Sequence, residues 1–332
     1  MVAPILHKQN VINKILNILI TGAAGFIGQN YLRKALETRE DYFRVIDKLT
    51  YSSDFKSMIL LTSKYPKVQF IQGDIQDTAL MTKHIDWAEV VINFAAESHV
   101  DRSIVNGSEF IKSNVLGAQN IFEIVSKFSN KRLIHISTDE VYGSIETGSS
   151  RETDNLMPNS PYSASKAAAD LIARSYNVTF GADIVITRSC NNFGPYQFPE
   201  KLIPLAITKL LSKKRVPIYG DGSNVREWIF VDENNRAIDF IINEGKRGEV
   251  YNIGSGVVLS NLEIIMKLIK LMNLSDNLIE FVSDRKGHDK RYSLNSQKIS
   301  SIGFKIESIF DLDLERTIGW YSKNIEWWSE RL

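Results

Sequence analysis

Cysteine is almost missing from this chain. Cys190 is the only one in 332 residues, so no disulfide can close within the chain and a reducing compartment is expected. Neither charge sign is in excess: 40 basic residues face 39 acidic ones, for a net charge of +1. That balance argues against a nucleic-acid or membrane-surface protein, both of which need a basic face. Apolar runs are short, and none approaches the length of a membrane span. The first fifteen residues are interrupted by Lys8, Gln9, Asn10, Asn13 and Lys14, so they lack the unbroken apolar core of a signal peptide. They read as a short extension, residues 1–14, ahead of the first strand. Internal repeats and low-complexity tracts are missing too. The five histidines, at 7, 84, 99, 135 and 288, show no metal-ligand spacing, and Cys190 has no partner thiol, so no metal site is expected. What remains is a cytoplasmic protein, 43% hydrophobic, with enough apolar residues for one large domain or two moderate ones.

The amino-terminal half alternates strand and helix patterns. Ile15–Ile20 reads as a strand, and Thr21-Gly-Ala-Ala-Gly-Phe-Ile-Gly28 follows it directly, with a helical pattern over 29–37. Glycines at 22, 25 and 28 let the backbone turn tightly and approach a pyrophosphate at the helix amino terminus. A second strand, Phe43–Ile46, ends in Asp47, the place where an acid binds adenosine ribose hydroxyls. An acid there favours NAD, because it would repel the 2′-phosphate of NADP. Strand Val68–Gln72 runs into Asp74 and Ile75, where an acid can meet the adenine. Strand Glu89–Phe94 runs into Ala95 and Ala96, small enough for a cofactor to lie close. With helices predicted over 77–86, 109–128 and 163–176, the alternation predicts an α/β protein with a doubly wound parallel sheet.

Two further stretches carry chemistry. Arg132–Ile136 reads as a buried strand, and Ser137-Thr-Asp-Glu-Val-Tyr-Gly143 follows it. Inside a strand, neighbours point to opposite faces; just beyond its carboxyl end Asp139 and Glu140 can share one site. That edge of an open α/β sheet is where ligands bind. There one carboxyl can donate a proton and the other accept one, with Thr138 beside them. Tyr162 and Lys166 stand four residues apart, one helical turn, on the same face. A nearby ammonium stabilises tyrosinate, so Tyr162 is expected to be acidified by Lys166 and to act as a base.

A glycine-rich NAD loop followed by Tyr-x-x-x-Lys resembles an extended short-chain dehydrogenase/reductase. Four further segments narrow the likeness: 95–103 with its AAESHVDRS, 191–204 with NNFGPYQFPEKLIP, 219–228 with YGDGSNVREW, and 284–292 with DRKGHDKRY. With the Ser-Thr-Asp-Glu segment, they resemble the dTDP-glucose 4,6-dehydratase family from about Ile15 to Trp328. Ala23 in place of a glycine, Phe193 in place of a tyrosine, Lys286 in place of a proline and the amino-terminal extension depart from the family pattern.

The resemblance implies a three-step reaction on a nucleotide-linked glucose with NAD as catalytic cofactor. Tyr162 takes the 4-hydroxyl proton as hydride leaves C4, and Thr138 bonds the same oxygen. Glu140 removes the C5 proton while Asp139 protonates the departing 6-hydroxyl; hydride then returns to C6. Beyond Gly22, Gly25, Gly28, Asp47, Asp74, Ile75, Ala95 and Ala96, the implied cofactor set includes Phe26, Ile27, Lys48, Ser98, Asn114, Tyr162, Lys166 and Asn192. The implied substrate set is Ser98, Thr138, Asn191, Lys201, Leu202, Pro217, Ile218, Tyr219, Arg226, Asn261, Asp284, His288 and Tyr292. In it, Lys201 and Arg226 pair with the diphosphate, Pro217 to Tyr219 line the base pocket, and Asp284 to His288 close on the nucleotide. The implied domains are a NAD-binding unit over 1–190 and a smaller, mainly substrate-binding unit over 191–332. Segments near 228–254 (Trp228–Val231 with its helix, and Val250–Ile253) return to the first unit. A homodimer through the helices starting near Glu109 and carrying Tyr162 is expected. Two other readings stand beside this one. A nucleotide-sugar epimerase or decarboxylase would use Tyr162 and Lys166 without the acid pair, and a non-catalytic dinucleotide-sensing protein tends to lack the Tyr-Lys pair. For the base, dTDP comes first and UDP second.

Overall fold

The computed structural model describes residues 14–284 and 287–332. Residues 1–13 of the expected extension, and Lys286, lie outside the described residues. The chain opens with β1 (Asn17–Thr21), β2 (Tyr42–Asp47), β3 (Val68–Gln72), β4 (Val90–Asn93), β5 (Arg132–Thr138) and β6 (Asp183–Ser189). It continues through β7 (Asn191–Phe193), β8 (Val216–Tyr219) and β9 (Val225–Phe230). Then β10 (Val250–Ile253) returns to the edge of the main sheet beside β6, before β11 (Val258–Ser260) and β12 (Ile279–Val282). The main sheet has seven strands in the order β10-β6-β5-β4-β1-β2-β3, every pairing parallel.

Strand periodicity explains why helices cover both faces. Along β1, Ile18 and Ile20 enter one apolar core with Phe43 and Ile134, while Leu19 enters the other with Ile46 and Leu133. Apolar residues at consecutive positions therefore demand a layer on each side. The helices Phe26–Thr38 and Val231–Glu244 supply one layer; Thr78–Trp87, Ala118–Ser126 and Pro161–Phe180 supply the other. Because β1 lies between β2 and β4, the chain reverses direction across the sheet there. That leaves a crevice at the carboxyl ends of the strands.

The helix carrying Tyr162 has a defined start. Ser160 caps it, its side chain accepting from Ser163 N while the Ser163 hydroxyl accepts from Ser160 N, and Pro161 opens the first turn. Gly181, with φ +66°, ends it. Tyr162 thus sits in the first turn, at the end nearest the strand edge.

Two expectations change. Trp228–Val231 does not return to the main sheet as a strand: β9 pairs with β7 and β11 in a small separate sheet. Trp228 and Phe230 are buried in that sheet's own core with Phe193, Ile203 and Leu268, which holds the strand there; Ile229, on the opposite face, and the following helix pack into the core of the first layer. The Ile218 side chain is turned into a core instead of outward. In β8, Val216 and Ile218 point into the same core, 0% and 1% exposed, so alternation turns only Pro217 and Tyr219 outward. Ile218→Ala is accordingly expected to lower stability by about 2–5 kcal/mol. The expected denaturation midpoint falls while the KM for a nucleotide-sugar stays at the wild-type value.

Candidate active site

The glycine loop after β1 is built for close approach. Gly22 has φ +73°, and a Cβ on it would stand 2.5 Å from Ala95 N. A Cβ on Gly28 would meet Gly22 O at 2.6 Å. Side chains are thus excluded by backbone packed against backbone, and main-chain groups line the start of the helix Phe26–Thr38. Gly22, Gly25, Phe26, Ile27, Gly28, Asp47, Lys48, Asp74, Ile75, Ala95, Ala96 and Ser98 all border a single cavity along the strand ends. Tyr162 and Lys166 close its far end.

The acid at the end of β2 is held firmly. Asp47 Oδ2 accepts from Ala24 N at 2.9 Å, and Oδ1 accepts from Leu49 N at 2.8 Å and Ser53 Oγ at 3.0 Å. Burial raises its pKa, and the Leu49 and Ala24 amides oppose that rise. Three donors occupy roughly three of about four acceptor positions on a carboxylate, leaving room for a ribose hydroxyl. Lys48 reaches across to Ser113 Oγ at 2.9 Å and lies near Asp74 and Glu97, at 3.9 and 3.8 Å. Glu97 borders the cavity, its pKa raised by burial against the pull of Lys48. A glycine cradle, a ribose acid and a long cavity fit a dinucleotide with a 2′-hydroxyl.

Asn114 has a different place from the one expected. The stretch read as one helix over 109–128 contains a wider π turn, Ile111–Gly117, between Gly107–Phe110 and Ala118–Ser126. Within it Asn114 is buried, with both amide protons donated and its oxygen bonded once. It accepts from Glu97 N at 2.8 Å and donates to Glu97 O and Ser165 Oγ, both at 2.9 Å. Its side chain does not border the cavity; it ties the loop after β4 to the tyrosine helix. π turns often mark such sites.

Asp139 and Glu140 open a short 3₁₀ turn directly after β5. The Thr138 hydroxyl accepts from Glu140 N at 3.3 Å, donates to Asp139 Oδ1 at 3.2 Å, and is hydrogen-bonded to the Tyr162 phenol. Asp139 is 3% exposed, and its Oδ2 has no hydrogen-bond partner among the described residues. Burial pushes its pKa well above the carboxylate range, and Glu140 and then Glu227 push the same way, with Arg226 opposing. Burial thus favours the protonated form of Asp139.

Tyr162 is not acidified in the protein by itself. Burial and then the charge of Glu140 raise its pKa, and Thr138 only partly offsets them. Lys166 donates to Ile136 O at 2.6 Å. Burial lowers its pKa to about 8, with Asp170 opposing. Burial and the nearby carboxylates set the direction of the shift, and Lys166 is not among its main causes.

The residues expected around the substrate are spread over the second half. Lys201 borders the cavity and donates to Ser98 O at 2.9 Å. Asn191 and Asn192 follow β6, and each leaves a buried Oδ1 without a hydrogen-bond partner among the described residues. Arg226 is buried, donates to Val225 O and Asp289 O, and stacks 4.5 Å over the Tyr292 ring. Tyr292 donates to Asp289 and lies within electrostatic reach of Glu140. His288 Nδ1 lies 2.6 Å from Asp284 Oδ1. Asn261 opens the helix Asn261–Leu271, and Leu202, partly buried, packs against the core of the small sheet. Sequence reasoning missed Glu97, Gln197, Phe198 and Glu200, which border the cavity, and Glu227. Glu227 is 0% exposed and accepts from Gly256 N and Leu294 N, both at 2.7 Å. The lone signal for it was an acid inside the apolar strand pattern of β9. Gly22→Ala is expected to yield folded protein that retains less than about a tenth of the wild-type NAD after gel filtration, since Ala disfavours a positive φ; an absorbance measurement of bound cofactor checks it.

Comparison with known proteins agrees with this geometry. The family model described as GDP-mannose 4,6 dehydratase matches residues 19–316. A low-salt glycan biosynthesis protein of Haloferax volcanii is 46% identical over 306 residues, 92% of this chain and 98% of the relative. A dTDP-glucose 4,6-dehydratase of Streptomyces antibioticus is 45% identical over 320 residues, 94% of each chain. The crystal structure of a dTDP-glucose 4,6-dehydratase of Streptomyces venezuelae with NAD and dTDP bound has a TM-score of 0.92 and 43% identity; the match covers 96% of this chain and 100% of that one. A UDP-glucose 4-epimerase of Thermotoga maritima shares the fold, with a TM-score of 0.86 at 25% identity over 93% of this chain and 100% of that one. The chain belongs to the nucleotide-sugar 4,6-dehydratase family of extended short-chain dehydrogenases/reductases, alongside the dTDP-glucose 4,6-dehydratases.

Proposed function

We propose that this protein converts dTDP-glucose to its 4-keto-6-deoxy product as a hydro-lyase with a resident NAD. The observation that carries the reading is the pair after β5: a buried Asp139, its pKa pushed up by burial, next to Glu140 and joined through Thr138 to Tyr162. An epimerase has no need of such an acid next to the tyrosine. NAD, when bound, supplies the acceptor that takes hydride from C4 and gives it back to C6. The glycine loop and Asp47 would hold that cofactor, and Lys48, Asp74 and Ile75 would border its adenosine half.

The remaining work falls to side chains of this chain. Tyr162 would accept the 4-hydroxyl proton while Thr138 bonds that oxygen. Its raised pKa favours the neutral phenol, and the positive charge that a bound nicotinamide would bring favours the tyrosinate. A 4-ketone acidifies the C5 hydrogen, so oxidation precedes elimination. Glu140 would then remove the C5 proton, and Asp139 would deliver its proton to the leaving 6-hydroxyl. Oppositely tuned neighbouring carboxyls are what such an elimination needs. Lys201 and Arg226 would meet the diphosphate, with Asn191, Asn261 and Ser98 around sugar and phosphate oxygens. Pro217, Tyr219, Asp284, His288 and Tyr292 would enclose the nucleotide.

We also infer a cytoplasmic homodimer. Val105, Ile111, Leu116, Leu171, Val178 and Phe180, on the helical stretch 100–126 and the tyrosine helix, are between 48% and 88% exposed. Apolar side chains left outward on two adjacent helices suit a second copy of the same face. No helix among the described residues is long and apolar enough to cross a membrane.

Purified protein without added NAD is expected to remove one water from dTDP-glucose, and to do so faster than from UDP-glucose, as read by mass spectrometry. No water loss from either sugar with NAD supplied would refute the reading. Asp139→Asn should slow water loss by roughly 10²–10⁴-fold while C4 oxidation continues, seen as accumulated NADH; normal elimination in that variant would remove Asp139 as the acid. Leu171→Glu with Val178→Glu should halve the mass measured by light scattering, and an unchanged mass would place the interface elsewhere.

A further inference from the structure

Two segments from different halves of the chain meet beside the cavity that the glycine loop and Asp47 line. Thr50, Ser52 and Ser53, in the loop after β2, border it, and so do Gln197, Phe198, Glu200 and Lys201 from the second half. Tyr51 belongs to the first segment, and its phenol donates to Glu200 Oε1 of the second at 2.7 Å. Burial and then that hydrogen bond raise the pKa of the phenol, so it stays a donor. Its ring meets Phe198 edge-on, centroids 5.4 Å apart, and the Arg102 guanidinium lies 3.5 Å over its face. The other oxygen of Glu200 is 3.6 Å from both His99 Nε2 and Arg102 Nε, beyond hydrogen-bond reach. Burial lowers the His99 pKa, so that ring is neutral near pH 7 and brings Glu200 no counter-charge.

The flanks of this contact are anchored independently of it. In the loop after β2, Asp47 holds Leu49 and Ser53, Asp54 N donates to Ala24 O at 2.8 Å, and Asp54 Oδ2 accepts from Trp327 Nε1 at 2.6 Å. In the second half, Gln197 Nε2 donates to Asn192 O at 2.9 Å, and the Tyr321 phenol donates to Gln197 O. The helix Leu202–Leu211 begins directly after Lys201. Between those anchors the turn 198–201 has one backbone bond of its own, Lys201 N to Phe198 O at 3.3 Å. Side chains tie that turn to the first half: Tyr51 to Glu200, and Lys201 to Ser98 O at 2.9 Å.

We propose that Tyr51 is a cofactor-retaining residue, whose bond to Glu200 fastens the turn 198–201 beside the cavity and slows the escape of NAD. The inference deepens the dehydratase reading, in which hydride leaves the sugar and returns to it within one turnover, so that a cofactor that stays bound is required. Its test needs no turnover. The alternative is a surface hydrogen bond without consequence, since partly exposed polar pairs contribute little in many proteins.

Full-length protein loaded with radiolabelled NAD and chased with excess unlabelled NAD gives the release rate directly. Tyr51→Phe removes the hydroxyl and keeps the ring between Phe198 and Arg102. It should release NAD roughly 5–20-fold faster, the order expected for one partly exposed hydrogen bond to a carboxylate, with an unchanged circular dichroism spectrum. Tyr51→Ala, which also loses the ring contacts, should release it faster still. Adding Tyr51→Phe to Glu200→Ala should cause no further acceleration, because the bond is already gone. A wild-type release rate in Tyr51→Phe, or rate effects of Tyr51→Phe and Glu200→Ala that multiply in full, would overturn the proposal, as would wild-type protein that retains no NAD through gel filtration. Protein that holds NAD and yet removes no water from dTDP-glucose would instead refute the dehydratase reading, and the release rates would still decide the role of Tyr51.

Discussion

The structure depends on keeping several ionisable groups out of water at one strand end. Asp139, Glu227, Tyr162, Lys166 and Asp170 are all buried around the carboxyl end of β5 and the first turns of the tyrosine helix. Removing a charge from water is expensive unless it is paired or neutralised, and here each group answers differently. Burial favours a proton on Asp139, Asp170 binds Arg188, Glu227 collects backbone amides, and Lys166 bonds a carbonyl. Different surroundings for neighbouring groups of the same type are what an acid and a base on adjacent residues require.

The scaffold exists to hold this arrangement. A parallel sheet buried on both faces brings the ends of β1, β4 and β5 to one edge. The Ser160–Ser163 cap starts the tyrosine helix where its first turn meets the end of β5. The π turn lets Asn114 brace the loop after β4 against that helix. Glu227 reaches in from the small sheet and binds the amides of Gly256 and Leu294, so the second half of the chain tunes the acid of the first.

Much of this was legible in the residues. The glycine loop, the acid ending β2 and the acid pair after β5 all follow from strand period and turn chemistry, because those signals are local. The Tyr-Lys spacing was equally readable, yet its electrostatic consequence was not. The phenol's pKa is raised by burial and by Glu140, which no spacing rule registers. Long-range facts were hidden for the same reason. Whether the strand 225–230 joined the main sheet depended on which core received Trp228 and Phe230. Ile218 followed the ordinary two-residue alternation of a strand, but the direction of its face was set by a core assembled from distant segments. Asn114 showed the right residue type in the right region, and only its three hydrogen bonds revealed a bracing role.

Where Asp139 is buried should keep it a neutral acid at neutral pH. The most direct measurement is the infrared difference spectrum between wild-type protein and the Asp139→Asn variant near pH 7. The wild type is expected to carry a protonated-carboxyl stretch that the variant lacks. Loss of an ionised carboxylate band instead would contradict it, and with it the division of labour between Asp139 and Glu140.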